Sequence, residues 1–185
     1  MAIAIPPITA DELEKFPDDG KRREIIRGEL SVSPAPSREH QQLSMVLSAF
    51  LYRMIVEAGA GWVYAAPVDV RLSPYDQVQP DLLAIRQERL GIYHGHVVHG
   101  PPDIVIEILS PSSPGYDKVE KRRLYASAGV PEYWIVDPES RQLMVLRLSG
   151  SDYESVAEQN GRLRSTSILE FEIEPAALFA RLSTE

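Results

Sequence analysis

The stretch that decides the fold is Asp103-Ile104-Val105-Ile106-Glu107-Ile108-Leu109-Ser110, an apolar, β-branched run bounded by prolines on both sides. Apolar residues at nearly every position predict a central strand that is buried on both faces, and the flanking prolines mark its ends. Glu107 lies inside this strand, where an unpaired carboxylate would be strongly destabilising because it has lost its hydration. We therefore expect Glu107 to be paired with a cation or to bind a metal ion.

Lys121 is a second charged residue that is expected in apolar surroundings, in this case on a helix. Residues 117–128 have helical spacing and are followed by glycine and proline, which end helices. At about 100° per residue, Lys121 shares a helix face with Leu124 and Ala128, and this face should pack on the sheet. Lys121 should therefore point towards the strand that carries Glu107.

A second carboxylate, Asp81, begins the short strand-like run of residues 80–85. Each of these charged residues also has a structural interpretation. Asp81 could be a turn residue after Pro80, and Lys121 could extend to solvent past the helix edge. Glu107 and Lys121 could form a buried ion pair without a catalytic role. Two carboxylates on neighbouring strands together with one lysine favour a functional site, and the structural ion pair remains the alternative.

Length and composition limit the class of protein. With 185 residues and 44% hydrophobic content, the chain can form one domain, residues 1–185, with a substantial core. No apolar run approaches the roughly 20 residues that a membrane span needs, and the N-terminus lacks the basic region of a signal peptide. The absence of cysteine excludes disulfides and thiolate metal sites. We expect a soluble cytoplasmic protein without membrane contacts.

The charge distribution neither establishes nor excludes nucleic acid as a partner. The net charge of −8 argues against a protein that simply coats nucleic acid. The acidic excess lies at both ends of the chain, however, and residues 21–149 carry equal numbers of acidic and basic groups. A modest phosphate-facing surface could be formed by the basic side chains of residues 21–23, Arg27 and residues 118–123.

The order of the expected elements is helix, three strands, helix, strand. A short capped helix (9–16) and a hairpin that turns at Arg27-Gly28 (23–32) precede this core, and further edge strands and a short helix (153–182) follow it. The core elements are a helix over 37–58, strands over 62–72, 79–85 and 103–110, a helix over 117–128, and strands over 132–137 and 142–148.

Several motifs resemble those of the Uma-type endonuclease family, a member of the PD-(D/E)xK, or restriction-endonuclease-like, superfamily. The resemblance covers about residues 23–150 and implies an α/β (α+β) fold with an αβββαβ core, in which helices flank a mixed central sheet. The matching motifs are Pro80-Asp81, Glu107-Ile108-Leu109-Ser110-Pro111-Ser112-Ser113, Asp117, Lys121, Tyr125 and Gly129-Val130-Pro131-Glu132-Tyr133-Trp134-Ile135-Val136-Asp137-Pro138.

The resemblance also implies an activity, the metal-dependent hydrolysis of DNA phosphodiester bonds. It makes Asp81 and Glu107 ligands of Mg²⁺ or Mn²⁺. Such an ion typically binds one or two carboxylates, several waters and substrate phosphate oxygens. It polarises the phosphodiester and lowers the pKa of a bound water, while a lysine orients that water or stabilises the developing charge. The expected catalytic residues are Asp81, Glu107 and Lys121. The two acids among them, Asp81 and Glu107, should lie on adjacent strands of one sheet.

One departure from the superfamily pattern concerns the lysine that normally lies two residues after the acid, since that position is Leu109. The resemblance assigns this role to Lys121, which agrees with its helix face. Relatives similarly carry a Gly-Glu-Leu hairpin and a histidine that opens the first long helix. Glu29, His40 and Tyr125 are therefore expected accessory residues.

The leading hypothesis is a Mg²⁺- or Mn²⁺-dependent endodeoxyribonuclease that acts on DNA as a homodimer, because a two-fold axis would match a duplex. One alternative is a nuclease-like module that binds DNA or protein without catalysis. Another is a glycosidase with two carboxylates, although aromatic residues make up only 8% of the chain.

His94, His96 and His99 lie between glycines and are expected in a mobile loop at the cleft rim, without a metal.

Overall fold

The computed structural model describes residues 6–110 and 117–182. The part of the motif at residues 111–113, and the side chains of Asp117 and Lys118, lie outside the described residues. Within the described ranges, no helix combines the length and hydrophobicity that crossing a bilayer requires.

The helices and strands follow the expected order. The helices are α1 (Ala10–Leu13), α2 (Arg38–Leu51), α3 (Arg122–Ala128) and α4 (Pro175–Phe179); a π-helical turn (Tyr52–Val56) extends α2, a second one (Asp117–Lys121) precedes α3, and a 3₁₀ helix spans Gln87–Ile92. The strands are β1 (Arg22–Ile26), β2 (Glu29–Ser33), β3 (Gly61–Ala65), β4 (Asp69–Ser73), β5 (Asp76–Val78), β6 (Leu82–Arg86), β7 (Tyr93–His94), β8 (Val97–His99), β9 (Ile104–Ile108), β10 (Glu132–Asp137), β11 (Gln142–Ser149), β12 (Asp152–Ser155), β13 (Leu163–Ser165) and β14 (Phe171–Ile173).

The central sheet has the strand order β12-β11-β10-β9-β6-β3 in the described part of the chain. It is mixed, because β9 runs parallel to β10 and antiparallel to β6. Every residue of β9 is buried, as its apolar composition predicts for a strand covered on both faces. The expected order of helix, three strands, helix and strand is confirmed as α2, β3, β6, β9, α3 and β10.

The two faces of the central sheet pack against different layers. On one face, Leu43, Leu47 and Leu51 of α2 pack against β6, β9 and β10; their spacing of four residues forms one stripe on the helix. On the other face, α3 packs through Leu124 and Tyr125. The second face also contacts another sheet, and the space between these layers contains the site described below.

This second sheet is absent from the expected architecture. Its described strands have the order β2-β1-β5-β4-β8-β7, and Ile26, Val70 and Val78 pack towards the central sheet. The prediction of one strand over residues 62–72 was wrong, because β3 belongs to the central sheet and β4 to the second sheet. Pro67 lies between them and has no N–H group with which to continue a strand ladder.

The hairpin of β1 and β2 turns at Arg27 and Gly28, as predicted. Both residues have positive φ angles, 53° and 76°, which is the conformation of the tight type I′ turn. A Cβ atom at Gly28 would lie 2.4 Å from Cβ of Pro7, so this position also requires glycine for space. The register of the hairpin places Arg22, Glu24 and Ile26 on one face of β1.

The expectation of a loop at the histidine segment was also wrong. His94 and His99 lie in the antiparallel strands β7 and β8, and their rings stack with centroids 4.2 Å apart. The segment is thus a hairpin rather than a loop. It forms the edge of the second sheet opposite to β1 and β2.

Candidate active site

Glu107 lies in β9, and Asp81 lies opposite it, directly before the first residue of the neighbouring strand β6. Leu82 pairs with Ile106 in the antiparallel register of β6 and β9. The preceding residue, Asp81, is therefore opposite Glu107, and opposite residues project from the same face of a sheet. The expectation that both acids lie on adjacent strands of one mixed sheet is confirmed.

Lys121 reaches this acid pair from the beginning of α3. Its Nζ atom donates hydrogen bonds to Oε1 of Glu107 at 2.9 Å and to Oε1 of Glu24 at 3.0 Å. Only 1% of Lys121 is exposed, so the ammonium group does not extend to solvent. The helical spacing of residues 117–128 predicts this direction, and the structure confirms it. Tyr125, one turn further along, donates from its hydroxyl to the same Oε1 of Glu107 at 2.6 Å.

Glu24 is a member of the cluster that the sequence analysis did not identify. It projects from β1, and its Oε1 accepts hydrogen bonds from Lys121 and from the backbone N–H of Gln79 at 2.7 Å. The available signal was its position beside Ile25 and Ile26 in a short strand. That signal is weak, because a glutamate in a hairpin strand is ordinarily on the solvent face.

Arg22 lies between the carboxylates. Its Nη1 is 2.7 Å from Oδ1 of Asp81, and its Nη2 is 3.4 Å from Oε1 of Glu24 and 3.6 Å from Oε2 of Glu107. The guanidinium group also donates to the carbonyl of Gln79. The sequence predicts Arg22 only as part of a phosphate-facing surface, and the structure places its side chain among the acids.

Two of the expected accessory residues, His40 and Glu29, differ in whether they reach the acids. Ser37 caps α2, and His40 in its first turn places Nε2 at 3.1 Å from Oδ2 of Asp81. Glu29 pairs with Ile26 at the end of the hairpin and is exposed. Within the described residues it forms no hydrogen bond or ion pair with the cluster, so the structure does not bring Glu29 into the site.

Each acid uses one oxygen for contacts that hold its orientation. Oδ2 of Asp81 accepts from the backbone N–H of Ile108 at 2.7 Å and faces His40. Oε1 of Glu107 accepts from Lys121 and Tyr125. The other two oxygens, Oδ1 and Oε2, both face the guanidinium of Arg22. The acids therefore converge on one position that already contains a positive charge.

Burial and neighbouring charges move the pKa values of these acids in opposite directions. Burial alone would raise the pKa of Asp81, but the hydrogen bond with His40 and the charge of Arg22 lower it to about 2. Burial raises the pKa of Glu107 to about 7, against the opposing charge of Lys121. Burial also raises the pKa of Tyr125 well above its ordinary value, so its hydroxyl remains a donor.

The charges of the described cluster do not balance. Glu24, Asp81 and Glu107 supply three carboxylates, and Arg22 and Lys121 supply two permanent cations. One positive charge is therefore missing when all three acids are ionised. Burial is the main cause of the raised pKa of Glu107, and the nearby charges of Asp81 and Glu24 add to it; a bound cation would oppose both effects.

The residues present fit a divalent ion that binds two carboxylates and takes its other ligands from water and substrate. Within the described residues, no group of three or more His, Asp or Glu side chains is arranged to hold a metal on its own. Asp81 and Glu107 nevertheless direct two hard oxygen atoms at one position occupied by a cationic group. Mg²⁺ commonly binds through one or two carboxylates, with waters and phosphate oxygens as the remaining ligands.

A mixed sheet with two acids on adjacent strands, between α2 and α3, defines the restriction-endonuclease-like class. The chain belongs to the Uma2 family, described as "Putative restriction endonuclease", whose model matches residues 10–179. It is similar to a crystal structure of "a putative nuclease belonging to DUF820" from Anabaena variabilis, with a TM-score of 0.82 and 20% sequence identity over 95% of this chain and 99% of that chain. At this identity the similarity shows the fold alone. No curated protein matches the chain.

Proposed function

We propose that this protein is a Mg²⁺- or Mn²⁺-dependent endonuclease that hydrolyses phosphodiester bonds in DNA. The observation that carries the proposal is the convergence of Oδ1 of Asp81 and Oε2 of Glu107 on one position, with Lys121 beside it. Membership of a family of nucleases supports the reaction class. The substrate and the metal are inferred from this chemistry.

Asp81 and Glu107 are the residues that would hold the metal. Their remaining oxygens are engaged by the protein, which limits how far either carboxylate can rotate. When bound, a divalent ion of this kind polarises the phosphodiester and lowers the pKa of a coordinated water.

Lys121 supplies charge rather than a base. Its ammonium group is held between Glu24 and Glu107, to which it donates hydrogen bonds. A fixed positive charge next to the reacting phosphate stabilises the negative charge that develops in the transition state. Tyr125 keeps Oε1 of Glu107 in place, and His40 does the same for Oδ2 of Asp81.

The alternative function is a nuclease-like module that binds DNA or protein without cutting. Two observations favour it: Leu109 occupies the usual lysine position, and Arg22 partly neutralises the acids without a metal. The two functions differ in one measurable property, since only the enzyme requires a divalent metal for turnover.

The test is a nicking assay on supercoiled plasmid and on single-stranded DNA, with Mn²⁺, with Mg²⁺ and with excess chelator. We expect metal-dependent cleavage by the parent protein and none by Asp81→Asn purified in the same way, which controls for contaminating nucleases. Equal cleavage by both proteins, or no cleavage at any metal concentration, would contradict the proposal.

We also propose that the active form is a homodimer. Each described chain contains one pair of acids facing one cation position, so cutting both strands of a duplex requires two chains or two successive events. A two-fold axis would place two sites symmetrically on the duplex. Light scattering at micromolar concentration, with and without DNA, should give twice the 20.7 kDa mass of the chain; a monomer under both conditions would contradict it.

A further inference from the structure

We infer that the guanidinium group of Arg22 lies where a divalent metal would bind between Asp81 and Glu107. The metal must displace Arg22 from these two acids before the site can act. This inference rests on the proposed function for the identity of the competing ion. It adds that one side chain of β1 competes with the metal for the two acids and thereby inhibits the site.

The contacts of Arg22 support this role. Its terminal nitrogens face Oδ1 of Asp81 and Oε2 of Glu107, which are the two oxygens that no other described group holds. Those are the oxygens a metal ion would need. Arg22 and the metal therefore compete for the same atoms.

Two further observations indicate that Arg22 can leave. About 23% of its side chain is exposed, whereas Glu24, Asp81 and Glu107 are each at most 3% exposed. Its Nε atom is buried and has no hydrogen-bond partner among the described residues. An unsatisfied buried donor lowers the stability of the present arrangement, and the exposed part of the side chain gives a path towards solvent.

The charge balance favours the exchange. With Arg22 in place, the described cluster contains three carboxylates and two cations. Replacing Arg22 by a divalent ion leaves three carboxylates opposite Lys121 and two metal charges, and this set is neutral. The exchange therefore neutralises the one negative charge that remains uncompensated while Arg22 is in place.

The experiment measures Mn²⁺ binding by calorimetry without nucleic acid, for the parent, Arg22→Gln, Arg22→Lys and Arg23→Gln. Arg23 is the matched control, because it lies on the other face of β1 and pairs with Asp19. We expect Arg22→Gln to bind Mn²⁺ about tenfold or more tightly than the parent. Arg22→Lys should be intermediate, because one ammonium cannot span both acids, and Arg23→Gln should match the parent.

A second readout is the thermal midpoint in chelator and in Mn²⁺. Arg22→Gln should have the lower midpoint in chelator and the larger gain with Mn²⁺, because binding to the folded state raises stability. If Arg22→Gln does not fold in chelator, Arg22→Lys provides the same comparison.

The inference is overturned if neither Arg22 variant binds Mn²⁺ more tightly than the parent, if Arg23→Gln gains as much, or if no variant binds Mn²⁺. It stands independently of the nuclease assay. A parent protein that does not cut DNA, while Arg22→Gln shows the tighter binding, would contradict the proposed activity and leave the competition established.

Discussion

The Nζ atom of Lys121 lies 2.9 Å from Oε1 of Glu107, although the lysine comes from the turn before α3 and the acid from the middle of β9. In the usual pattern the lysine lies two residues after the acid, which places both on one strand face. Here that position is the buried Leu109. Lys121 thus contacts Glu107 from a helical turn before α3, and not from the strand that carries the acid.

Lys121→Ala should abolish DNA cleavage and leave Mn²⁺ binding largely intact. The acids are the proposed metal ligands, whereas the proposed role of the ammonium group is to stabilise the charge that develops at the reacting phosphate. The measurement combines plasmid nicking with calorimetric titration of Mn²⁺. Arg123→Ala is the control, because this exposed side chain lies on the opposite side of the helix. Cleavage by Lys121→Ala at the parental rate would show that the helix lysine is not catalytic.

Asp81→Asn and Glu107→Gln should each lose both Mn²⁺ binding and cleavage. Each change replaces an ionised oxygen that faces the cation position with a neutral amide of similar size. Titration, nicking and thermal midpoint should be measured for both variants, with Glu29→Gln as a control on an exposed glutamate of the neighbouring hairpin. Unchanged metal affinity in Glu107→Gln would identify Glu107 as half of a structural ion pair with Lys121.

Glu24→Gln should reduce the turnover number more than it changes the KM, because Glu24 accepts a hydrogen bond from Lys121 and would act through the position of that ammonium group. We expect a loss smaller than that of Lys121→Ala, since Glu107 still holds the ammonium. The change should also lower the free energy of unfolding by roughly 1–3 kcal/mol, the usual cost of weakening a buried charged hydrogen bond.

Glu29→Gln is again the matched control for this variant, because it alters the same residue type in the same hairpin. A purely structural role for Glu24 would lower the thermal midpoint without affecting turnover at temperatures well below that midpoint. Equal losses of activity in Glu24→Gln and Glu29→Gln would contradict the positioning role.

Stability in the presence of chelator should fall as the pH rises from about 4.5 to about 7. Burial raises the pKa of Glu107 from 4.5 to about 7 in the folded protein, so the folded state binds this proton more tightly than the unfolded state does. The resulting stabilisation is fully present below pH 4.5 and is lost as the pH passes through 7. The size of the effect is on the order of a few kcal/mol.

Denaturant unfolding of the parent and of Glu107→Gln across this range isolates the contribution, because other titrating groups affect both proteins. The difference in unfolding free energy should change in favour of the variant as the pH rises. The contribution of Asp81 has the opposite sign and a separate window, since its pKa is lowered to about 2 and its stabilisation is lost only below about pH 4. A pH-independent difference would contradict the raised pKa of Glu107.

Local patterns were sufficient for the parts of this protein whose surroundings follow from sequence neighbours. The largely apolar composition of residues 103–110 predicted a strand covered on both faces. The helical spacing around Lys121 predicted the direction of its side chain. Both inferences depend on periodicity within one element, and the structure confirms both placements.

The second sheet and the two residues it contributes were decided by the tertiary structure alone. Glu24 meets Lys121 across 97 positions in the sequence, and Arg22 meets Asp81 across 59. No periodicity within β1 distinguishes these side chains from ordinary surface charges of a hairpin. Their role depends on β1 packing over the central sheet, and that packing is a sum of contacts between distant segments.

The sequence by itself therefore determined that Glu107 and Lys121 are forced into apolar surroundings and point towards each other, because burial of a strand or a helix face is encoded in its own residues. Only the tertiary structure decided which further charges join them. The partners of a buried charge are set by which elements come together, and here the hairpin of β1 and β2 brings both a third acid and a competing cation to the same position.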